Sequence, residues 1–390
     1  MSQIDDRYLS DMLKQLLETP SPTGYTDEIT RLCCRELERL NIGYEITRRG
    51  AIRALIRGGE RQPGRAIIGH IDTLGAQVKG LKSNGRLEVR MIGHWSARFA
   101  EGARVKIFTI HNDAYRGTIL PLKASGHTFG DEIDTQEVSW ENLEIRVDVR
   151  AEDEKDLKAI GFDIGDMVAV EPQPEFFDNG FIVSRHLDDK GGVAAMFAAM
   201  KSIRESDVAL PVDAYFLLSI TEEIGQGASG ILTKDVASLV AIDNGTVAPG
   251  QNSSEYGVTI AMGDQVGPFD YHLTQKLIRV CEENDIEFQR DLFRYYRSDS
   301  ASAIESGEDV RTALVTFGID SSHGYERTHI HSLHSVARLI RAYVCSEIEI
   351  PRDKDDLGDL SGFTEQPMNP HEDEKWEGQD DAPERPGDKS

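Results

Sequence analysis

Nine residues, Ser184-Arg185-His186-Leu187-Asp188-Asp189-Lys190-Gly191-Gly192, run straight into the apolar stretch from Val193 to Met200. This junction constrains the fold more than any other feature of the chain. A helix that is apolar on every side belongs inside a protein, so the paired acids in front of it are carried to the rim of an α/β sheet. Two adjacent carboxylates repel each other unless a cation, a basic partner or solvent lies between them. Taken alone, the pair reads better as a solvated turn whose charge suits a helix N-terminus. The rest of the chain has to decide.

Buried strands recur with polar ends. Ala66 to Asp72 is one and ends in His70-Ile71-Asp72; Ala214 to Ile220 is a second and runs into Thr221-Glu222-Glu223-Ile224-Gly225. Leu239 to Gly245 ends in Asp243, and Thr312 to Gly318 leads to the histidine-rich segment from His323 to Ser332. In an open α/β sheet, ligands bind at this carboxyl edge of the strands. Amphipathic helices are expected near 4–17, 27–40, 269–284 and 333–343.

From Leu74 to Asp178 the texture changes. Arg86 to Met91, Ala103 to Phe108 and Leu143 to Val149 alternate apolar and charged side chains, as half-buried antiparallel strands do. The chain therefore divides into a discontinuous α/β domain (1–73 and 179–346), an inserted all-β domain (74–178) and an acidic tail (347–390) expected to be disordered. The insertion's histidines, His94, His111 and His127, are expected to make local hydrogen bonds or to lie at the surface.

The formal net charge of −25 over 390 residues excludes a nucleic-acid or anionic-membrane partner, because both require a basic footprint. None of the four cysteines forms a Cys-x-x-Cys pair, and no apolar run is long enough to span a bilayer. These features, with an N-terminus unlike a secretion signal, predict a soluble cytoplasmic protein.

The chemical expectation rests on strand ends converging. His70, Asp188, Glu223, Asp243 and His331 form an imidazole-and-carboxylate set able to hold two divalent ions, with Asp188 bridging. Glu222 is then spare, and a spare carboxylate beside a ligand is what a general base requires. Asp72, on the same strand face as His70, can hold the imidazole's other N–H.

These segments, Gly69-His70-Ile71-Asp72, Gly165-Asp166-Met167-Val168, His186 to Gly192, Glu222 to Gly225, Ala241-Ile242-Asp243, Ser298-Asp299-Ser300 and His329 to Ser332, resemble those of metallopeptidase family forty-two, the tetrahedral, glutamyl and deblocking aminopeptidases. The resemblance implies a zinc-aminopeptidase-like three-layer α/β sandwich with an inserted barrel or PDZ-like β domain that serves dimerisation, in assemblies from a dimer to a dodecamer. It implies two divalent ions per subunit, zinc first, with cobalt or manganese as alternatives. His70, Asp188 and Asp243 would hold one ion and Asp188, Glu223 and His331 the other. Glu222 would be the base, Asp72 its catalytic companion behind His70, and Asp299 a substrate contact. The family's motif selects His331; spacing alone does not separate it from His323 and His329.

The implied reaction is release of N-terminal residues from short peptides through a metal-bridged hydroxide. Similarity to a branch associated with an acetylated dipeptide osmolyte adds acylated dipeptides as substrates. Two other readings stay open: an N-acyl amino acid deacylase or other amidohydrolase on the same fold, and a non-catalytic assembly protein stabilised by metal.

Overall fold

In the computed structural model, which describes residues 4–366 apart from 112 and 207, the apolar stretch forms the middle of helix Leu187–Arg204. Every residue from Leu187 to Met200 is buried. The helix lies against the central strands on one side and against helices Asp6–Glu18 and Ile330–Cys345 on the other. Its first turn is irregular: Asp188 and Asp189 have non-helical torsions, so regular helix begins only after the acid pair.

Eight strands form the central sheet, in the order Gly43–Ile46, Ile52–Ile56, Val212–Ser219, Glu60–His70, Val236–Thr246, Arg311–Ile319, Val258–Gly263 and Phe288–Leu292. Glu60–His70 pairs in parallel with both of its neighbours, and Val236–Thr246 pairs in parallel with Arg311–Ile319. All eight residues of Val212–Ser219 are buried, as expected of a central strand covered on both faces. Parallel pairing matters for function, because it brings the ends of these strands to one edge.

Residues 75–170 form a closed six-stranded barrel, in the order Gly75–Leu81, Leu87–Ile92, Leu143–Val147, Ala114–Pro121, Arg104–Phe108 and Met167–Val170. It has its own core, including Val78, Leu87, Val105, Ile107, Ile145 and Val168, separate from the core of the large sheet. Closure leaves no free strand edge along the barrel wall. The architecture is the α/β sandwich with an inserted β domain that the sequence implies. Its insertion is a barrel.

A small three-stranded sheet, Glu175–Phe176, Phe181–Ser184 and Glu326–His329, leads the chain back into the large sheet. At the amino edge of the parallel strands, residues 347–354 are strapped down. Arg65 donates to the main-chain oxygens of Tyr343, Ser346 and Glu347, Lys276 to that of Glu347, and Arg311 grips Asp353 with two parallel hydrogen bonds. The order expected to end at residue 346 thus continues over this short segment; the acidic run 371–374 lies outside the described residues.

Candidate active site

His70 is the last residue of Glu60–His70, and Asp243 stands near the end of the parallel neighbour Val236–Thr246. Asp188 enters from the irregular first turn of the buried helix, whereas Glu222 and Glu223 lie on a short turn after Val212–Ser219. Ligand atoms of His70, Asp188 and Asp243 all fall within 4.8 Å of one another. Local sterics permit this. A Cβ at Gly69 would lie 2.7 Å from Asp189 Oδ2 and one at Gly192 2.2 Å from Asp189 Oδ1, so only glycines let strand and helix close around that carboxylate.

Asp188 is the hub. Its Oδ1 faces His70 Nε2 at 3.1 Å and its Oδ2 faces His323 Nε2 at 3.2 Å. Glu223 Oε2 lies 4.0 Å from the same nitrogen of His323. The ring facing Asp188 and Glu223 therefore belongs to His323, not to His331. His331 sits inside the first turn of helix Ile330–Cys345, half exposed, with its Nδ1 accepting from Gly257 N–H and its Nε2 3.8 Å from Glu287. The physical reason is positional. His323 lies in the loop that leaves the buried strand Arg311–Ile319, like the other strand-end residues, whereas the helix turns His331 toward a different surface. His329 is likewise engaged elsewhere, on Asn179 O and His331 N.

Both central histidines are oriented in the same way. His70 Nδ1 donates to the main-chain oxygen of Asp72 at 3.0 Å, and His323 Nδ1 to that of His94 at 2.8 Å. A carbonyl can only accept, so each ring is held with Nε2 toward the centre, the arrangement by which proteins present imidazole to a metal. Asp72 thus acts on His70 chiefly through its backbone. Its carboxylate, 3.6 Å from that ring, accepts instead from Thr23 Oγ1 at 2.7 Å and from the backbone N–H groups of Glu222 and Glu223 at 3.2 and 3.4 Å. It pins the turn that carries both glutamates.

The two glutamates differ. Glu223 Oε1 accepts from Leu74 N–H at 3.1 Å, which ties it in place. Among the described residues no donor reaches the Glu222 carboxylate, whose Oε2 stands 3.8 Å from His70 Nε2 at the cleft wall. Asp299 has a place other than the expected substrate contact. It is buried, accepts from Ser219 Oγ at 2.6 Å and from Ser302 Oγ at 3.3 Å, and does not line the cleft. The exposed His94 does line it, while His111 and His127 lie at the surface of the barrel region.

Burial and mutual repulsion dominate the electrostatics. Burial alone would make the His70 and His323 rings poorer bases, but Asp188 outweighs it, lifting His70 well above the histidine range and His323 to about 10. Burial followed by the charge of Asp188 pushes Glu223 up to about 8 and Asp243 well above the carboxylate range. Glu222 is also raised, by burial and then by Asp243 and Asp299, against the pull of His70. Four carboxylates and two rings crowded this closely are short of positive charge, and a divalent cation supplies it. Nitrogen and oxygen donors in this mixture suit zinc, cobalt or manganese.

The cleft above these residues has a volume of about 1730 Å³ and runs between the large sheet and the barrel. Its walls include Glu222, Tyr296 and Arg297 from the α/β part and Lys79, Arg90 and Trp140 from the barrel. It is large enough for a short peptide.

A buried histidine and carboxylate cluster at the carboxyl edge of an α/β sheet, opening into such a cleft, defines a metallohydrolase. Known sequences narrow the class: residues 50–339 match the M42 glutamyl aminopeptidase family, and the chain belongs to that family. It is a metallo-aminopeptidase, a hydrolase of peptide bonds. It is 36% identical over 340 residues to the Bacillus subtilis (strain 168) protein YhfE, covering 87% of this chain and 98% of that one. The TET aminopeptidase of the marine sediment archaeon Thaumarchaeota archaeon SCGC AB-539-E09 has the same fold, with a TM-score of 0.78 at 18% identity over 86% of this chain and 96% of its own. So does the Pyrococcus horikoshii TET1 peptidase, described as assembling into a tetrahedron or a large octahedral shell, with a TM-score of 0.75 at 21% identity over 86% and 99% of the two chains. Among the described residues no helix is long and apolar enough to cross a membrane.

Proposed function

We propose that this aminopeptidase removes N-terminal residues from short peptides at a centre for two divalent ions. One would be held by His70, Asp188 and Asp243, the other by Asp188, Glu223 and His323. The observation that carries this reading is the Asp188 carboxylate, one oxygen turned to His70 and the other to His323. A carboxylate shared between the two rings in this way supports its assignment to both ligand sets. Bound ions would supply Lewis-acid polarisation of the scissile carbonyl and a lowered pKa for attacking water.

The chain's own groups do the rest. Glu222, which no donor reaches among the described residues and which stands at the cleft wall, takes the proton of the attacking water and returns it to the leaving amine. Asp72 fixes the turn that holds Glu222 in reach, and the two backbone carbonyls keep both imidazoles facing inward. The cleft walls seat the peptide beside these groups.

We further propose a homo-oligomer, between a dimer and a dodecamer, in a reducing cytoplasm. The four free thiols and the described assembly of the Pyrococcus horikoshii relative support these readings. Metal analysis of the purified protein, together with rates on aminoacyl anilides and on free and N-acetylated dipeptides, tests the activity. Hydrolysis of free-amine substrates by protein containing two ions is the expected result. Cleavage confined to acylated dipeptides would replace the aminopeptidase with a deacylase, and a metal-containing but inert protein would leave only an assembly role. A monomer on a sizing column at micromolar concentration would remove the oligomer.

A further inference from the structure

Asn244 follows Asp243 on strand Val236–Thr246 and is 2% exposed. Its Nδ2 donates to Asp188 Oδ2 at 2.7 Å and lies 3.2 Å from Asp243 Oδ1. Its main-chain N–H donates to that same oxygen of Asp243 at 2.6 Å, and the Tyr296 hydroxyl donates to its main-chain oxygen at 2.8 Å. The side-chain Oδ1, by contrast, is buried and has no hydrogen-bond partner among the described residues.

That orphan oxygen is informative. A buried acceptor with no donor destabilises the folded state, so this half of the amide does not account for the residue's presence. Turning the amide over does not help, since it would set a carbonyl oxygen against two carboxylates. What the residue contributes is one amino group placed between acids that come from different elements, a strand and a helix.

We propose that Asn244 is a positioning residue for the ion held by His70, Asp188 and Asp243. Its Nδ2 ties down one oxygen of each carboxylate, and Tyr296 steadies the backbone behind it. Asp188 Oδ1, turned to His70, and the second oxygen of Asp243 are thereby left in register for the cation. This rests on the two-ion reading above.

Metal-stripped protein dialysed against graded Zn(II), with bound metal measured, tests it in the full-length chain. Asn244→Ala removes the amide, and Asn244→Leu does so while keeping the volume, so failure of the first to fold leaves the second. The expected result is zinc affinity weakened 10- to 100-fold, the usual effect of losing a partner behind a metal ligand, with the melting temperature of the metal-free protein close to that of the parent. Unchanged affinity overturns the proposal. So does a lowered metal-free melting temperature with unchanged affinity, which would show a merely structural residue. A parent that takes up no zinc, cobalt or manganese would overturn the two-ion reading itself and is distinguishable from both.

Discussion

The imidazole of His323 is steered by the main chain of His94: Nδ1 of the first lies 2.8 Å from the carbonyl oxygen of the second. The two residues come from different parts of the fold, His94 from the barrel insertion and His323 from the loop after a central strand. A second thread runs alongside, from Leu74 N–H to Glu223 Oε1. The insertion is therefore part of the machinery that shapes the centre.

This orientation separates the competing histidines by experiment. His323→Ala should lower bound metal and reduce kcat/KM by at least roughly 100-fold. His331→Ala removes a ring that faces Gly257, Glu287 and Tyr256, away from Asp188 and Glu223, and should leave metal content unchanged. Metal analysis of both variants decides the matter, and loss of metal from the second alone would restore His331.

Glu222→Gln keeps the shape of the side chain and removes its basicity. The expected outcome is parental metal content and a loss of roughly 100- to 10,000-fold in kcat, the range for a missing general base. Turnover equal to the parent's would strip Glu222 of its role.

Gly192→Ala tests the packing that brings the elements together. The new Cβ would lie 2.2 Å from Asp189 Oδ1 and 2.6 Å from Ile242 Cγ2. Asp189 cannot easily retreat, because its Oδ2 accepts the His70 backbone N–H. Overpacking of this kind costs about 1–3 kcal/mol, readable as a lower urea midpoint in the metal-free protein.

Lys276 provides a pH test far from the centre. Burial pushes its ammonium down to about 8, and nearby Arg65 adds to the effect while Glu349 opposes it. Below pH 8 both folded and unfolded chains carry the charge, so its burial penalty applies in full. Between pH 8 and the ordinary lysine range the unfolded chain holds a proton that the folded one has released, so this group makes stability rise with pH. Lys276→Met should lack that rise. The stability difference between variant and parent should drift by up to about 3 kcal/mol across the window, and parallel pH profiles would refute the assignment.

Much of this architecture is readable in the residues themselves. The strands ending at His70 and Asp243 are continuous apolar runs stopped by polar groups, and Asp188 precedes a helix apolar all round, so burial and polarity mark them without a structure. The histidine was harder. His323, His329 and His331 crowd one segment, and only knowledge that strand Arg311–Ile319 ends before the first, while a helix has begun by the third, separates them. The signal existed in the strand-end rule that placed His70 and Asp243. Asn244 and the carbonyls of Asp72 and His94 carry no such mark, because backbone oxygens are present at every position and their use depends on tertiary approach. Asp299 misled for the opposite reason: an acid in a motif suggests a contact, yet Ser219 and Ser302 absorb it internally.

The barrel's two threads to the centre bear on attempts at miniaturisation. Splicing residue 74 to residue 171 would delete the carbonyl that aims one imidazole and disturb the amide that moors one glutamate. A trimmed α/β core could keep every side chain named for the chemistry and still fail to aim two of them, so a compact catalyst drawn from this scaffold would need replacements for both tethers.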